Sequence, residues 1–484
     1  MFKRRNPNAA KPPPRASPWE MDTPLLFLSS ADSWTIRDAC EGAQIMGGIG
    51  SGKTSGSGKA IAHSFLRAGM GGLVMCAKPE EKDLWLKYCH ETGRESQVIV
   101  FNPLEKWRYN FIDAELNRSK HLGGGLTENI VELLTTVTSL CEGTKGMDSG
   151  DKFWDRSMRV LLRNAIEVIS IAKDRITLED ICRFILEAPQ SVEQVADEAW
   201  RNSSFTAECI AEADAKPKSR QEQHDCDISI RYWLASWPTL ADRTRSSISA
   251  TWESVGDILL HGAAYDLLST STNWLPEITF MQGAITILDL PIQRYHGVGR
   301  IIQGILKYAW QRAVLARNVE EHPRPVFLWA DESQHFISQY DYEYQSTARS
   351  ARACTVYLTQ NISNYYSALG SGAHAQADAL LGLMQTLVFH AQPDQATNEW
   401  ASKRIGQHYT TQLNFGSSTN GTGPGSRSGG GSETIQYKIL PAAFTTLRKG
   451  GPQNNLEVEA ILFQGGRVWK ASGETYLKTV FKQG

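Results

Sequence analysis

Hydrophobic and polar positions fall into distinct textures along the 484 residues. Ala43-Gln44-Ile45-Met46, Leu73-Val74-Met75-Cys76-Ala77 and Gln97-Val98-Ile99-Val100-Phe101 are short apolar runs that read as buried strands. Residues 55–68 between the first two have a helix-compatible pattern. From about 114 to 280 the strand-like runs vanish. Helical periodicity takes over there, in 127–140, 153–172, 177–186, 191–200 and 247–260. Strands return at 284–291, 326–330, 355–359 and 386–389, separated by helical stretches such as 298–316. Strands alternating with helices predict an α/β fold with a mostly parallel sheet covered on both faces. An inserted all-α domain splits that sheet in sequence.

The flanks read differently. Residues 1–18 carry Lys3, Arg4, Arg5, Lys11 and Arg15 among prolines, with no acid. This is a flexible basic arm, as consistent with a solvated tail as with a nucleic-acid or acidic-lipid contact. Residues 411–433, rich in Gly, Ser, Thr and Asn, predict a mobile loop. The alternation Leu456-Glu457-Val458-Glu459-Ala460-Ile461-Leu462-Phe463, closing on Gly465-Gly466, predicts an edge strand and hairpin.

Composition adds mainly exclusions. A net charge of −2 argues against a broad basic surface but allows a local basic strip lining a channel. The apolar runs fall far short of the ~20 residues that cross a bilayer, and no signal-peptide core is present. The eight cysteines form no C-x-x-C pair, so neither a zinc site nor a disulfide framework is expected. Reduced thiols in a cytosolic protein fit better.

The chemistry concentrates at Gly47-Gly48-Ile49-Gly50-Ser51-Gly52-Lys53-Thr54, which fits G-x-x-x-x-G-K-[ST] between a strand and a helix. Glycines let backbone N–H groups curl around phosphate oxygens, and the helix N-terminus, with Ser55 next in line, adds its dipole. Lys53 would reach the β- and γ-phosphates, and the Thr54 hydroxyl would ligate Mg²⁺. Val326-Phe327-Leu328-Trp329-Ala330 then delivers Asp331 and Glu332 at a strand's C-terminal end. Nucleotides bind at that edge in open α/β sheets. Asp331 would hold Mg²⁺ through water, and Glu332 would polarise the attacking water. Gln360, at the tip of the strand over 355–359, is placed to sense a γ-phosphate. Arg349 and Arg352 lie just upstream; in a ring, one of them, with Arg349 the stronger candidate, would reach a neighbour's γ-phosphate.

In order along residues 40–470, the chain resembles the type IV secretion coupling proteins, the TraG/TraD-like conjugation ATPases. The resemblance runs through Asn102-Pro103, Tyr109-Asn110-Phe111, Lys152-Phe153-Trp154 with Leu161-Leu162, and Arg245-Ser246-Ser247-Ile248 with Thr251. It continues through Leu288-Asp289-Leu290-Pro291, the span from Trp329 to Gln360, Asp394 with Thr397 and Gly406, and Tyr437 to Leu447. Two departures stand out. The family's N-terminal transmembrane helices have no counterpart, and its D-x-K-G-like element is here Cys76-Ala77-Lys78-Pro79-Glu80-Glu81.

The resemblance implies a RecA-like P-loop NTPase, hexameric, using ATP and Mg²⁺, that binds DNA with weak sequence preference. It would couple hydrolysis to delivery of a DNA–relaxase complex, or a protein substrate, into a secretion channel. The expected location is cytoplasmic, at the inner face of a bacterial membrane through a partner protein. The expected layout is a basic arm (1–20), a first nucleotide-binding part (21–113), the all-α domain (114–280) and a second nucleotide-binding part (281–484). An FtsK/HerA-like DNA translocase shares every nucleotide-site residue, and a nucleotide-binding receptor with little hydrolysis is the reading from another class. The large helical insertion favours the coupling protein, and intact Lys53, Asp331 and Glu332 favour hydrolysis.

Overall fold

In the computed structural model the described residues are 19–118, 127–142, 151–338, 340–369, 374–418 and 426–483. The basic arm over 1–18 lies outside them. A small antiparallel pair, β1 (Pro24–Phe27) and β2 (Ser33–Thr35), opens the described chain. The apolar runs then become β3 (Ala43–Met46), β4 (Gly71–Met75) and β5 (Val98–Phe101). After the helical region come β6 (Ile285–Leu288), β7 (Val326–Ala330), β8 (Ala353–Thr359) and β9 (Thr386–Phe389). A ribbon of β10 (Gln407–Ser418) and β11 (Ser426–Tyr437) precedes β12 (Glu457–Gln464) and β13 (Tyr476–Lys482).

Nine of these form one sheet in the order β13-β12-β9-β3-β8-β7-β4-β6-β5. From β9 to β5 every pair is parallel, while β12 and β13 run antiparallel. Strands buried on both faces must be apolar throughout, which is why they read as continuous runs. Met46 is level with Thr359 and Phe389, and Met75 with Ala330 and Leu288. The residues that follow each of these strands therefore leave one common edge.

Alternate side chains of the strands feed two cores. Ile45, Val74, Phe327, Trp329 and Val356 pack beneath the helices Lys59–Arg67 and Glu80–Glu91. There the Trp85 ring stacks on Phe327 at 5.4 Å and meets Trp329 edge-on at 5.3 Å. Met46, Leu73, Leu328 and Tyr357 face the other way and join the core of the helical region.

Among the described residues, the elements from Phe111 to Met281 are all helical. The chain enters and leaves this region side by side: Tyr109 N donates to Leu267 O (2.8 Å), and Asn273 N to Arg108 O (3.1 Å). Its helices begin where short polar side chains can cap them. Thr177 and Asp180 form a capping box for Leu178–Leu186, and Ser219 and Glu222 form one for Arg220–Arg231. The helix expected over 191–200 is broken at Asp197, whose carboxylate caps a second helix, Glu198–Ser203.

Two expectations at the C-terminal side are corrected. Residues 411–433, expected as a loop, instead lie largely within the two arms of the antiparallel ribbon, which pair from Gln407↔Tyr437 to Ser418↔Ser426. The glycines that suggested a loop sit opposite large side chains: the Phe415 ring covers Gly429, and Leu413 with Thr411 covers Gly431. A large cross-strand neighbour shields the bare backbone of a strand glycine. The strand expected at the sheet edge, β12, is an inner strand between β9 and β13, and β13 takes the edge.

Candidate nucleotide-binding site

The phosphate-loop sequence bridges β3 and a helix that opens with one wide, π-type turn, Thr54–Gly58, before continuing as Lys59–Arg67. Gly50 and Gly52 take φ values of +68° and +85°, which side-chain-bearing residues rarely adopt. A Cβ on Gly48 would stand 2.7 Å from Pro393 Cδ, and one on Gly52 2.6 Å from Val458 Cγ2. The loop is thus held between β12 and the segment after β9, and only glycine fits. Ser51 is buried and its hydroxyl has no hydrogen-bond partner. Behind the loop, His390 Nδ1 donates to Glu459 O (3.1 Å), so Nε2 accepts from Ser57 Oγ at 2.7 Å. Burial pushes His390 down to about 4, which keeps this tie neutral.

The structure brings Lys53, Thr54, Asp331, Glu332 and Gln360 together. Thr54 Oγ1 donates to Asp331 Oδ2 at 2.6 Å. Lys53 Nζ lies 3.9 Å from Glu332 Oε1, and Gln360 Nε2 lies 3.4 Å from the same oxygen. Glu332 itself is left-handed, with φ 49° and ψ 45°. That turn directs the carboxylate back over the sheet edge. Thr359 Oγ1 donates to Gln334 Oε1 (2.8 Å), and Gln334 Nε2 donates to Glu332 Oε2 (3.0 Å), tying β8 to the acidic pair. A cavity of about 340 Å³ opens beside the loop, lined by Gly48, Ile49, Gln360, Gln392, Asp394 and Lys449 among others.

Two residues that the sequence motifs do not single out complete the site. Lys78, just past β4, pairs with Glu332 Oε1 at 2.8 Å, the shortest contact of that carboxylate. Glu81 accepts from Ala77 N at 2.7 Å. Burial, with the Asp331 charge behind it, pushes Glu81 up to about 8. Burial acts on Glu332 in the same direction. Hydrogen bonds from Lys78 and Gln334 and the charges of Lys53 and Lys78 outweigh it and hold Glu332 down at about 2. The signal for Lys78 in the sequence was its place in the Cys76–Glu81 element that departs from the family pattern.

The two arginines lie elsewhere. Arg349 and Arg352 precede β8, at the sheet edge opposite Gln360. Arg349 is more than half exposed and pairs with Glu41 at 3.2 Å. The Arg352 guanidinium donates to the carbonyls of Trp19 and Pro323, at 3.2 and 3.0 Å, which is a structural duty. The seven residues of β8 put roughly 20 Å between Arg349 and Gln360 within one chain.

Residues 325–444 match the family model described as the TraM recognition site of TraD and TraG. No curated protein matches the chain by sequence. Among solved structures, the plasmid coupling protein TrwB in complex with a non-hydrolysable GTP analogue is 13% identical with a TM-score of 0.61; the match covers 93% of this chain and 88% of that one. TrwB in complex with ADP and Mg²⁺ is 13% identical, with a TM-score of 0.57 and coverage of 93% and 87%. The unbound conjugative coupling protein TrwBdeltaN70 is 14% identical, with a TM-score of 0.57 and coverage of 92% and 86%.

Fold and loop define the class: the RecA-like P-loop NTPase fold, a mostly parallel α/β sheet interrupted by helices. Within that class, the chain resembles the TraG/TraD-like coupling proteins, both in overall fold and through the match over 325–444. No helix among the described residues is long and apolar enough to cross a membrane.

Proposed function

We propose that the chain is the ATP-hydrolysing, DNA-binding motor of a type IV coupling protein. The observation that carries the reading is the 2.6 Å hydrogen bond between Thr54 and Asp331, residues 277 positions apart. It joins a glycine cradle that a Cβ would fill to a pair of carboxylates, with Lys53 and Gln360 at hand. TrwB is described in complex with ADP and Mg²⁺ and with a non-hydrolysable ATP analogue, which supports ATP and Mg²⁺ as cofactors.

Each residue has one task. The backbone from Gly47 to Ser55 holds phosphate oxygens, and Lys53 balances their charge. Thr54 and Asp331 would hold Mg²⁺, which when bound would supply positive charge against the phosphates. Glu332 orients and polarises the attacking water. Gln360 reports the γ-phosphate, and Arg349 serves the site of the next copy in a homo-hexamer. DNA would be gripped through its phosphates with weak sequence preference, so binding should fall steeply with salt. The partners are a relaxosome and secretion-channel components, reached at the inner face of the membrane through a tethering protein. The match over 325–444 favours this reading over an FtsK/HerA-like translocase.

The test is ATP turnover with and without single- and double-stranded DNA, with mass followed by light scattering. Turnover stimulated by DNA in an oligomer is expected. Lys53→Ala should lower it on the order of 10²-fold or more with the fold intact. A monomer that DNA does not stimulate counts against the motor, and turnover unchanged by Glu332→Gln would return the receptor reading.

A further inference from the structure

The chain just past β4 is fixed on several sides. Gln303 accepts from Cys76 N (2.9 Å) and donates to Cys76 O (3.0 Å). Glu81 takes Ala77 N, and Ile292 N donates to Ala77 O at 3.1 Å. Pro79 restricts the next step of the backbone. Lys78 therefore has one backbone address, while its side chain, a third exposed, reaches across the neighbouring strand end to Glu332.

Two ammonium groups stand at one carboxylate oxygen: Lys78 at 2.8 Å and Lys53 at 3.9 Å. Glu332 is nearly buried and its backbone is locked in a left-handed turn. A buried carboxylate left without a cation is costly, so it recruits the nearest one. Without Lys78, the nearest is Lys53.

We propose that Lys78 is a positioning residue that takes the charge of Glu332 and so keeps Lys53 free for the phosphates of an incoming nucleotide. The inference rests on reading the loop over 47–55 as a nucleotide site. It assigns Lys78 no contact with nucleotide. Its influence passes entirely through Glu332. A chain lacking Lys78 would have to break a Glu332–Lys53 pair before binding, which weakens affinity without altering the loop.

Calorimetric titration of the full chain with the non-hydrolysable analogue AMP-PNP and Mg²⁺ tests this as a double-mutant cycle. Lys78→Ala should weaken binding on the order of tenfold, and Lys78→Arg should restore it. In the Glu332→Gln background, whose neutral amide does not capture Lys53, Lys78→Ala should leave affinity unchanged. Equal losses in both backgrounds would mean that Lys78 touches nucleotide or merely supports the loop, and would overturn the inference. So would an unchanged affinity for the single variant. If the unaltered chain binds no AMP-PNP, the nucleotide reading falls as well; if it binds and the cycle is flat, only the role of Lys78 falls.

Discussion

Glu332 is a non-glycine residue in the left-handed region, a conformation that costs on the order of 1 kcal/mol or more. Lys78 and Gln334 hold its two oxygens and so stabilise that turn. Its neighbour Glu81 shows the opposite electrostatics, with burial and the Asp331 charge raising it from 4.5 to about 8. A carboxyl raised in the fold contributes stability that is whole below its unfolded value and is lost as pH rises through the folded one. Through this group the chain should lose stability between about pH 4.5 and 8. Glu81→Gln removes that slope, so the variant should gain on the unaltered chain as pH rises across the window. Urea midpoints at both ends check it, and parallel profiles would sink the assignment.

Among the elements, the helical stretch Ile292–Ala316, kinked at His296, braces the site from behind. It sends Gln303 to Cys76, and Lys307 to Asp341 (2.5 Å) and to Phe336 O (2.6 Å), just beyond the acidic pair. Lys307 and Asp341 are both about 1% exposed, and burial pushes the Lys307 ammonium down. Removing one partner of such a pair strands the other charge, so Lys307→Met should cost about 3–5 kcal/mol in denaturant unfolding. A loss below ~1 kcal/mol would mean that water reaches Asp341. The strands of the parallel sheet were legible in the sequence because burial on both faces demands unbroken apolar runs such as 326–330. The phosphate loop and the acidic pair were legible because their chemistry fixes residue type and spacing. The pairing of Lys78 was not, since its place in the Cys76–Glu81 element marked the position but the partner appears only when Glu332 is folded against it. Nor was the ribbon, because Gly429 and Gly431 become strand residues only when Phe415 and Leu413 lie across from them. Strand β13 alternates cleanly, with Leu477, Thr479 and Phe481 buried and Lys478, Val480 and Lys482 exposed, and forms the second arm of the hairpin that Gly465-Gly466 suggested.

For the whole molecule, the position of Arg349 limits what one chain can do alone. Phosphate loop, acidic pair and Gln360 leave one edge of the sheet, and Arg349 sits at the other, out of reach of its own loop. An arginine that assists hydrolysis from there must do so in a neighbouring copy, with one chain's Arg349 edge set against the next chain's loop edge. Such a contact is head-to-tail, and head-to-tail contacts that close make rings. The Glu41 pairing would then be a resting state: an exposed ion pair is worth at most ~1 kcal/mol and yields easily to a phosphate. Lys53→Ala and Arg349→Ala should each abolish turnover, the first by spoiling its own site and the second by spoiling the neighbour's. In randomly mixed rings of the two, about one quarter of interfaces would pair an intact loop with an intact arginine, so mixing two inactive proteins should restore measurable turnover. Turnover that stays at background after mixing, in particles that light scattering shows to be co-assembled, would place both residues in the same site and remove the argument for a ring-built active centre.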